Sequence, residues 1–180
     1  YIDGQGRVLG GVVCASKELI GTMIPFIRNA GPTLSPFNAW ILSKSLETLA
    51  VRMDRHCSNA STLAHTLSTN AKIKKVIYPF LESHPAYAVA KKQMKQGGGI
   101  VSFELNGGVE EGKKFLNAIK MCSMSPNLGD TRSIVTHPAS TTHSRLTSEQ
   151  RLSVGITDSL IRVSVGLEHI EDISKDILQA

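Results

Sequence analysis

The sequence is poor in cysteine, and its cysteines form no pattern that suits a disulfide framework or a zinc site. Cys14, Cys57 and Cys122 are odd in number, lie far apart and include no CxxC pair. Disulfide-rich and zinc-finger proteins are therefore not indicated. We expect reduced thiols, as in a cytoplasmic protein.

Long apolar runs are also lacking. No segment approaches the ~18 apolar residues that a membrane-spanning helix needs, and no basic stretch followed by an apolar one indicates a signal peptide. We expect no membrane partner.

Aromatic residues are scarce and the excess of positive charge is moderate. Phe, Trp and Tyr make up 5% of the 180 residues, and 20 Lys and Arg against 15 Asp and Glu give a net charge of +5. No basic stretch alternates with aromatic residues, which is the pattern typical of single-strand binding. We expect no nucleic-acid partner. The 41% hydrophobic and 19% charged residues are typical of a globular chain.

The beginning of the chain is rich in glycine and leads into a helical region. The Val-rich run at residues 11–15 is bounded by glycine and predicts a buried strand. Ser16 is a suitable N-cap for a helix that ends at Gly31, and Ser35 with Pro36 is a second helix start.

From this second start, apolar residues recur at helical spacing for about 30 residues. Arg52 and His56 fall on the side that we expect to face water. A helix of this length without a breaker often links two layers or two domains. We place a domain boundary near Asn70, which divides the chain into residues 1–70 and 71–180.

Beyond this boundary, short strands alternate with helices, which predicts an α/β sandwich. The strands are expected at residues 73–78, 100–105, 121–124, 133–135 and 160–165, and the helices at residues 87–94 and 110–119, after Thr147 and after Gly166.

Two histidines, His137 and His143, lie in a loop that is rich in hydroxyl groups. They are six residues apart with Pro138 between them, so they cannot share a helix face as a metal-binding pair would. We expect a loop held by hydrogen bonds among hydroxyls and imidazoles, and no metal site.

Arg162 alternates with β-branched residues inside the last predicted strand. A guanidinium buried alone would be costly, so it must reach water or meet a carboxylate. Its planar fork suits bidentate recognition of a carboxylate. The residues alone leave two alternatives open, which are ligand binding and a structural ion pair with Glu168 or Asp130.

Six segments together resemble the C-terminal half of the pyridoxal-phosphate enzymes of cysteine and methionine metabolism. They follow the family's order along essentially the whole chain and are residues 1–7 (YIDGQGR), 35–40 (SPFNAW), 46–49 (LETL), 127–130 (NLGD), 137–143 (HPASTTH) and 160–168 (LIRVSVGLE). The resemblance implies that residues 1–70 are the end of the cofactor-binding large domain with a long linking helix. Residues 71–180 would then be a C-terminal α/β domain with a small, mainly antiparallel sheet covered by helices.

The resemblance also implies which parts of the catalytic site this chain supplies. In the family, the lysine that bonds the cofactor stands immediately before the tyrosine that matches Tyr1. The cofactor, pyridoxal 5'-phosphate, is therefore expected in the full-length enzyme and not on this chain alone. We expect the 180 residues to be inactive without the N-terminal part of the same enzyme. Relatives are homotetramers, and the same is expected of the intact protein.

Three residues match positions that bind substrate in the family. Arg162 matches the arginine that binds the α-carboxylate of the amino-acid substrate. Asn127 falls where the lyases carry a serine, and Thr142 matches a position that lines the site. Asn127, together with Gln5 in place of the lyases' glycine-histidine pattern, is similar to the sulfhydrylases.

Within the family, the resemblance is nearest to the O-succinylhomoserine sulfhydrylases. It implies conversion of O-succinylhomoserine and sulfide to homocysteine and succinate, a step of methionine biosynthesis. A cystathionine γ-synthase or methionine γ-lyase is the alternative within the family. A non-catalytic binding module is the alternative from another class.

Overall fold

A computed structural model describes all residues, 1–180. It contains seven α-helices and five strands, which in chain order are α1 (Lys17–Ala30), α2 (Pro36–Leu46), α3 (Leu49–Ser68), β1 (Ile73–Ile77), α4 (Tyr87–Gln93), β2 (Ile100–Leu105), α5 (Val109–Ala118), β3 (Ser123–Met124), β4 (Ile134–Thr136), α6 (Ser148–Ser153), β5 (Leu160–Ser164) and α7 (Ile170–Gln179). No helix combines the length and the apolar character that crossing a membrane requires.

The predicted strand at residues 11–15 is wrong. Residues 7–16 form neither helix nor strand, and Val12 and Val13 are 72% and 60% exposed. A strand needs a neighbouring strand to bond its backbone N–H and C=O groups. All five strands of the chain lie in one sheet, which does not include residues 11–15. The apolar run therefore remains extended and uncovered.

The helix predicted after Ser16 is confirmed, with its cap. The Ser16 hydroxyl accepts a hydrogen bond from the Leu19 amide, and Gly31 ends α1 in a left-handed conformation at φ 79°. None of its residues is buried. Its apolar side chains are open to solvent, and Phe26 is 68% exposed.

The long linking helix is present as two helices rather than one. It breaks between Leu46 and Leu49, where the carbonyl of Ser45 accepts side-chain donors. Thr48 Oγ1 donates to it at 3.2 Å and Arg52 Nη2 at 2.9 Å. The orphan carbonyl at the end of α2 is satisfied in this way.

The expected sheet is confirmed as small and mainly antiparallel. Its order is β1-β2-β5-β4-β3. All neighbours are antiparallel except β3 and β4, which are parallel. This is an α/β fold with a central β5, whose residues pair with strands on both sides.

A single core of 17 buried residues joins the sheet to the helices. Phe103 of β2 packs edge-to-face on Phe115 of α5, with ring centroids 5.6 Å apart. Leu63 and Leu67 carry α3 into the same core. The second half of α3 therefore packs on the sheet, and the boundary near residue 70 stays a prediction.

A buried carboxylate closes the far end of the sheet. Asp176 of α7 accepts the backbone amides of Lys120, Met121 and Cys122 at 2.9 to 3.0 Å. Burial alone would raise the pKa of Asp176, but these three amides outweigh burial and hold it below its usual range.

Candidate functional site

Arg162 lies at the centre of the sheet, on the face opposite the core. In β5 it pairs with Ser102 of β2 and Thr136 of β4. Its neighbours Ile161 and Val163 are fully buried. Side chains alternate across a strand, so the arginine projects toward the loop after β3.

The guanidinium of Arg162 meets backbone oxygens and no carboxylate. Its Nη2 donates to the carbonyl oxygens of Pro126 and Asn127 at 2.6 and 3.2 Å and to Thr136 Oγ1 at 3.4 Å. Nη1 makes no protein hydrogen bond, and Nε is buried without a partner. An unsatisfied buried donor costs about 1–3 kcal/mol, so this group favours an acceptor that the chain does not supply.

The two carboxylates considered as partners of Arg162 are used elsewhere. Asp130 pairs with Arg132 at 3.1 Å, and Glu168 accepts the amide and hydroxyl of Ser133 at 2.6 and 2.9 Å. Hydrogen bonds from Arg132 hold the pKa of Asp130 below its usual range. The structural ion pair is therefore absent.

The loop at residues 125–129 forms one wall of a cleft. The carbonyl of Ser125 accepts the Thr136 hydroxyl, and the Gly129 amide donates to Ser164 Oγ at 2.8 Å. Together with the Arg162 contacts, these bonds fix the loop to β4 and β5. The side chain of Asn127 is exposed at this wall.

The first residues of the chain form the opposite wall. The Thr131 amide donates to the Gly4 carbonyl at 2.7 Å, which joins the two walls. The backbone of Gly129, at φ +80°, lies so close to Tyr1 that a Cβ there would stand 2.6 Å from the Tyr1 nitrogen. The cleft between the walls has a volume of about 370 Å³ and is lined by residues 1, 3–6, 8 and 126–130.

Charge on the wall formed by the first residues of the chain is also neutralised internally. Arg7 contacts Asp3 at 2.7 Å. Burial would raise the pKa of Asp3, but the hydrogen bonds from Arg7 outweigh it and lower the pKa. Both acidic residues of the cleft, Asp3 and Asp130, thus have basic partners. Arg162 does not line the cleft itself; its guanidinium reaches the cleft wall through the carbonyls of Pro126 and Asn127 and has no carboxylate partner.

Tyr1 and the buried part of α3 meet beneath the cleft. The Tyr1 ring packs edge-on against His56, with centroids 5.1 Å apart. Burial raises the pKa of the Tyr1 phenol and lowers the pKa of His56. Both groups are therefore neutral near pH 7.

The prediction that Arg52 and His56 of α3 face water is wrong. Arg52 and His56, which the pattern assigned to the water side, are 9% and 0% exposed. They are buried because backbone carbonyls from distant segments accept their N–H groups. Their spacing of four residues was the available signal, since it places them on one helix face.

The histidine loop is held by hydrogen bonds, as predicted. His137 bonds the Ser140 hydroxyl through Nδ1 and the Asp158 carbonyl through Nε2, at 2.8 and 2.9 Å. Thr142 is exposed, and its hydroxyl lies 2.8 Å from His143 Nδ1. Of the three predicted site residues, only Asn127 lines the cleft. Arg162 contacts the Asn127 carbonyl, whereas Thr142 contacts neither of the other two.

Comparisons with known proteins show which family the chain resembles. The sequence profile of the family described as "Cys/Met metabolism PLP-dependent enzyme" matches residues 1–180. An O-succinylhomoserine sulfhydrylase from Pseudomonas aeruginosa is 48% identical over 98% of this chain and 44% of its own length. An L-methionine gamma-lyase from Fusobacterium nucleatum is 47% identical over 99% of this chain and 46% of its own.

A solved structure shows the same fold. It is a cystathionine gamma synthase from Xanthomonas oryzae pv. oryzae in complex with aminoacrylate and cysteine, with a TM-score of 0.91 and 37% identity over 99% of this chain and 46% of that one. The profile and the fold thus define a family of cofactor-dependent enzymes.

The chain belongs to the Cys/Met metabolism PLP-dependent enzyme family. It spans about half the length of the curated relatives it matches. Membership in this family implies pyridoxal 5'-phosphate as the cofactor of the full-length enzyme.

Proposed function

We propose that this chain carries the substrate-carboxylate subsite of a PLP-dependent sulfhydrylase. The whole enzyme would convert O-succinylhomoserine and sulfide to homocysteine and succinate. The C–O bond to succinate breaks at the γ carbon of the substrate, and a C–S bond forms there. The 180 residues alone are expected to be inactive.

The observation that carries this proposal is the Arg162 guanidinium. It is anchored through Nη2 alone and has an unpartnered buried Nε. A carboxylate is the acceptor that a guanidinium binds most strongly. Arg162 therefore holds and orients the α-carboxylate, with Asn127 at the mouth of the cleft. The part of Thr142 in the site stays a prediction.

The residues present fit the substrate side of a pyridoxal-phosphate site. No lysine lines the cleft. In this proposal the lysine that bonds the cofactor stands immediately before Tyr1, as the family resemblance implies. The Tyr1 nitrogen lies against Gly129, at the wall that Arg162 fixes. When bound, the cofactor acts as an electron sink for the substrate.

A methionine γ-lyase is the second candidate, because relatives of that name match as closely as the sulfhydrylases do. The exposed Asn127, at a position where the lyases carry a serine, favours the sulfhydrylase.

The experiment uses the full-length enzyme with three substrate sets, which are O-succinylhomoserine with sulfide, O-succinylhomoserine with cysteine, and methionine alone. Release of homocysteine from the first set supports the proposal. Exclusive use of cysteine indicates a γ-synthase, and release of methanethiol from methionine indicates a lyase. No turnover and no bound cofactor would favour a non-catalytic module.

We further propose that the intact enzyme is a cytoplasmic homotetramer. Apolar side chains such as Phe26 and Trp40, 68% and 59% exposed, are consistent with a face that the rest of the assembly covers. Light scattering of the purified full-length enzyme tests the assembly.

A further inference from the structure

We propose that the buried polar face of α3, formed by Arg52, His56 and Asn59, is a positioning device. It fixes the position of residues 1–4, which we call the Tyr1 segment, relative to β5, the strand that carries Arg162. The inference rests on the function proposed above and adds three positioning residues to it.

Arg52 holds the Tyr1 segment. Its Nη1 donates to the Tyr1 carbonyl at 2.7 Å, and its Nη2 donates to the Ile2 carbonyl at 3.2 Å. The close approach leaves no room at Gly4, where a Cβ would stand 2.5 Å from Nη1. One guanidinium thus fixes two successive carbonyls of the segment.

His56 and Asn59 hold the chain directly after β5. His56 Nδ1 donates to the Val165 carbonyl at 2.6 Å, since a carbonyl can only accept. Asn59 Nδ2 donates to the Gly166 and Glu168 carbonyls at 2.9 and 3.0 Å. These contacts begin three residues after Arg162, and they bridge more than 100 positions of sequence.

The three side chains lie on one face because positions 52, 56 and 59 repeat at helical spacing. Apart from Arg52 Nε, which donates to Thr48 Oγ1 at 3.1 Å, their bonds go to backbone carbonyls, so the device locates the chain itself and not only side chains. Arg52 is buried without an ion pair. Burying an unpaired guanidinium is costly compared with an apolar residue, and a positioning role gives a reason for keeping it.

The consequence concerns two groups that must act on one substrate. The residue bonded to the Tyr1 nitrogen follows the Tyr1 backbone, and the substrate carboxylate follows Arg162. Both the Tyr1 backbone and the strand that carries Arg162 are held by side chains of α3. Loss of the Arg52 contacts therefore shifts the Tyr1 backbone relative to Arg162. A misplacement of about 1 Å can lower the rate by about 100-fold.

The test compares Arg52→Gln with Arg55→Gln in the full-length enzyme. Arg55 lies on the exposed side of the same helix and its side chain makes no hydrogen bond or ion pair, so it is a matched control. For Arg52→Gln we expect kcat to fall about 10- to 100-fold while KM changes less than about threefold, because Arg162 is intact. Arg55→Gln should leave both unchanged.

Arg52→Lys is the second variant, and it covers the case in which Arg52→Gln does not fold. It keeps the positive charge but loses the planar fork, so positioning predicts that kcat stays low. Full activity of the folded Arg52→Lys enzyme, or equal effects on kcat and KM, would overturn the inference.

Amide hydrogen exchange supplies a readout besides activity. In Arg52→Gln, the amide of Thr131, bonded to Gly4, should exchange faster than in the parent and in Arg55→Gln. Unchanged exchange would also overturn the inference. An inactive parent enzyme with normal exchange behaviour would instead count against the proposed function.

Discussion

Removal of the Arg162 guanidinium is the perturbation whose effect can be worked out most fully. Arg162→Ala deletes the charged group that bonds the Pro126 and Asn127 carbonyls of the cleft wall, while Ile161 and Val163 keep β5 in the core. The expected result in the full-length enzyme is weaker substrate binding with the cofactor still bound. Steady-state kinetics and cofactor absorbance measure the two properties separately.

The magnitude follows from the hydrogen bonds that are lost. A hydrogen bond to a charged group contributes about 1.5–3 kcal/mol. Since 1.4 kcal/mol corresponds to a factor of ten, KM should rise about 10- to 150-fold. The KM of Arg162→Lys should lie between the KM of the parent enzyme and that of Arg162→Ala, because an ammonium keeps the charge but not the planar fork of the guanidinium.

Arg145→Ala is the control, since Arg145 is exposed and has no ion pair. Arg162 also fixes the carbonyls of Pro126 and Asn127, so the thermal midpoint must be recorded with the kinetics. A KM within twofold of the parent in a folded Arg162→Ala enzyme would refute the carboxylate role.

Three further predictions concern stability. Gly129→Ala should lower the unfolding free energy more than Gly155→Ala, which carries the same positive-φ strain of about 1–2 kcal/mol but has open space around it; urea denaturation of both variants compares them. The pKa of Asp176 is lowered in the folded state, so its contribution to the unfolding free energy is present at neutral pH and lost as pH falls through that pKa. Asp176→Asn should therefore reduce the loss of stability at acid pH. An unchanged acid limb of the stability–pH curve would contradict this. Phe103→Ala should lower the unfolding free energy by about 3–5 kcal/mol in the same urea denaturation, because Phe103 is fully buried in the core.

The strands and helices that sequence patterns predicted well are those whose partners lie in the chain. β2 and β5 pair with each other; β2 largely alternates between buried and less buried positions, and β5 is buried at every position except Arg162. The run at residues 11–15 has the same local composition, but no strand of the chain pairs with it. The local sequence pattern indicates whether a segment can form a strand, but it does not indicate whether a neighbouring strand is present to pair with it.

Arg162 shows how far chemistry at one residue can be predicted. The cost of burying a guanidinium indicated that it needs an acceptor, and the structure agrees. The identity of the partners was not predictable, because Pro126 and Asn127 offer carbonyls that every residue possesses. Glu168 and Asp130, the residues that charge suggested, bond elsewhere.

Arg52 and His56 were missed for a related reason. Charge placed them in water, whereas their acceptors are carbonyls at Tyr1 and Val165, 51 and 109 positions away. Polar residues on a helix are usually exposed, and only the tertiary fold shows the exception.

The most direct measurement compares two ligands, homoserine and 3-aminopropanol, which is the same molecule without the α-carboxyl group. Their dissociation constants are read from the cofactor absorbance of the full-length enzyme and of Arg162→Ala. The account predicts that the parent binds homoserine about 10- to 150-fold more tightly than the amine and that Arg162→Ala binds the two alike. An equal preference for homoserine in both enzymes would contradict it.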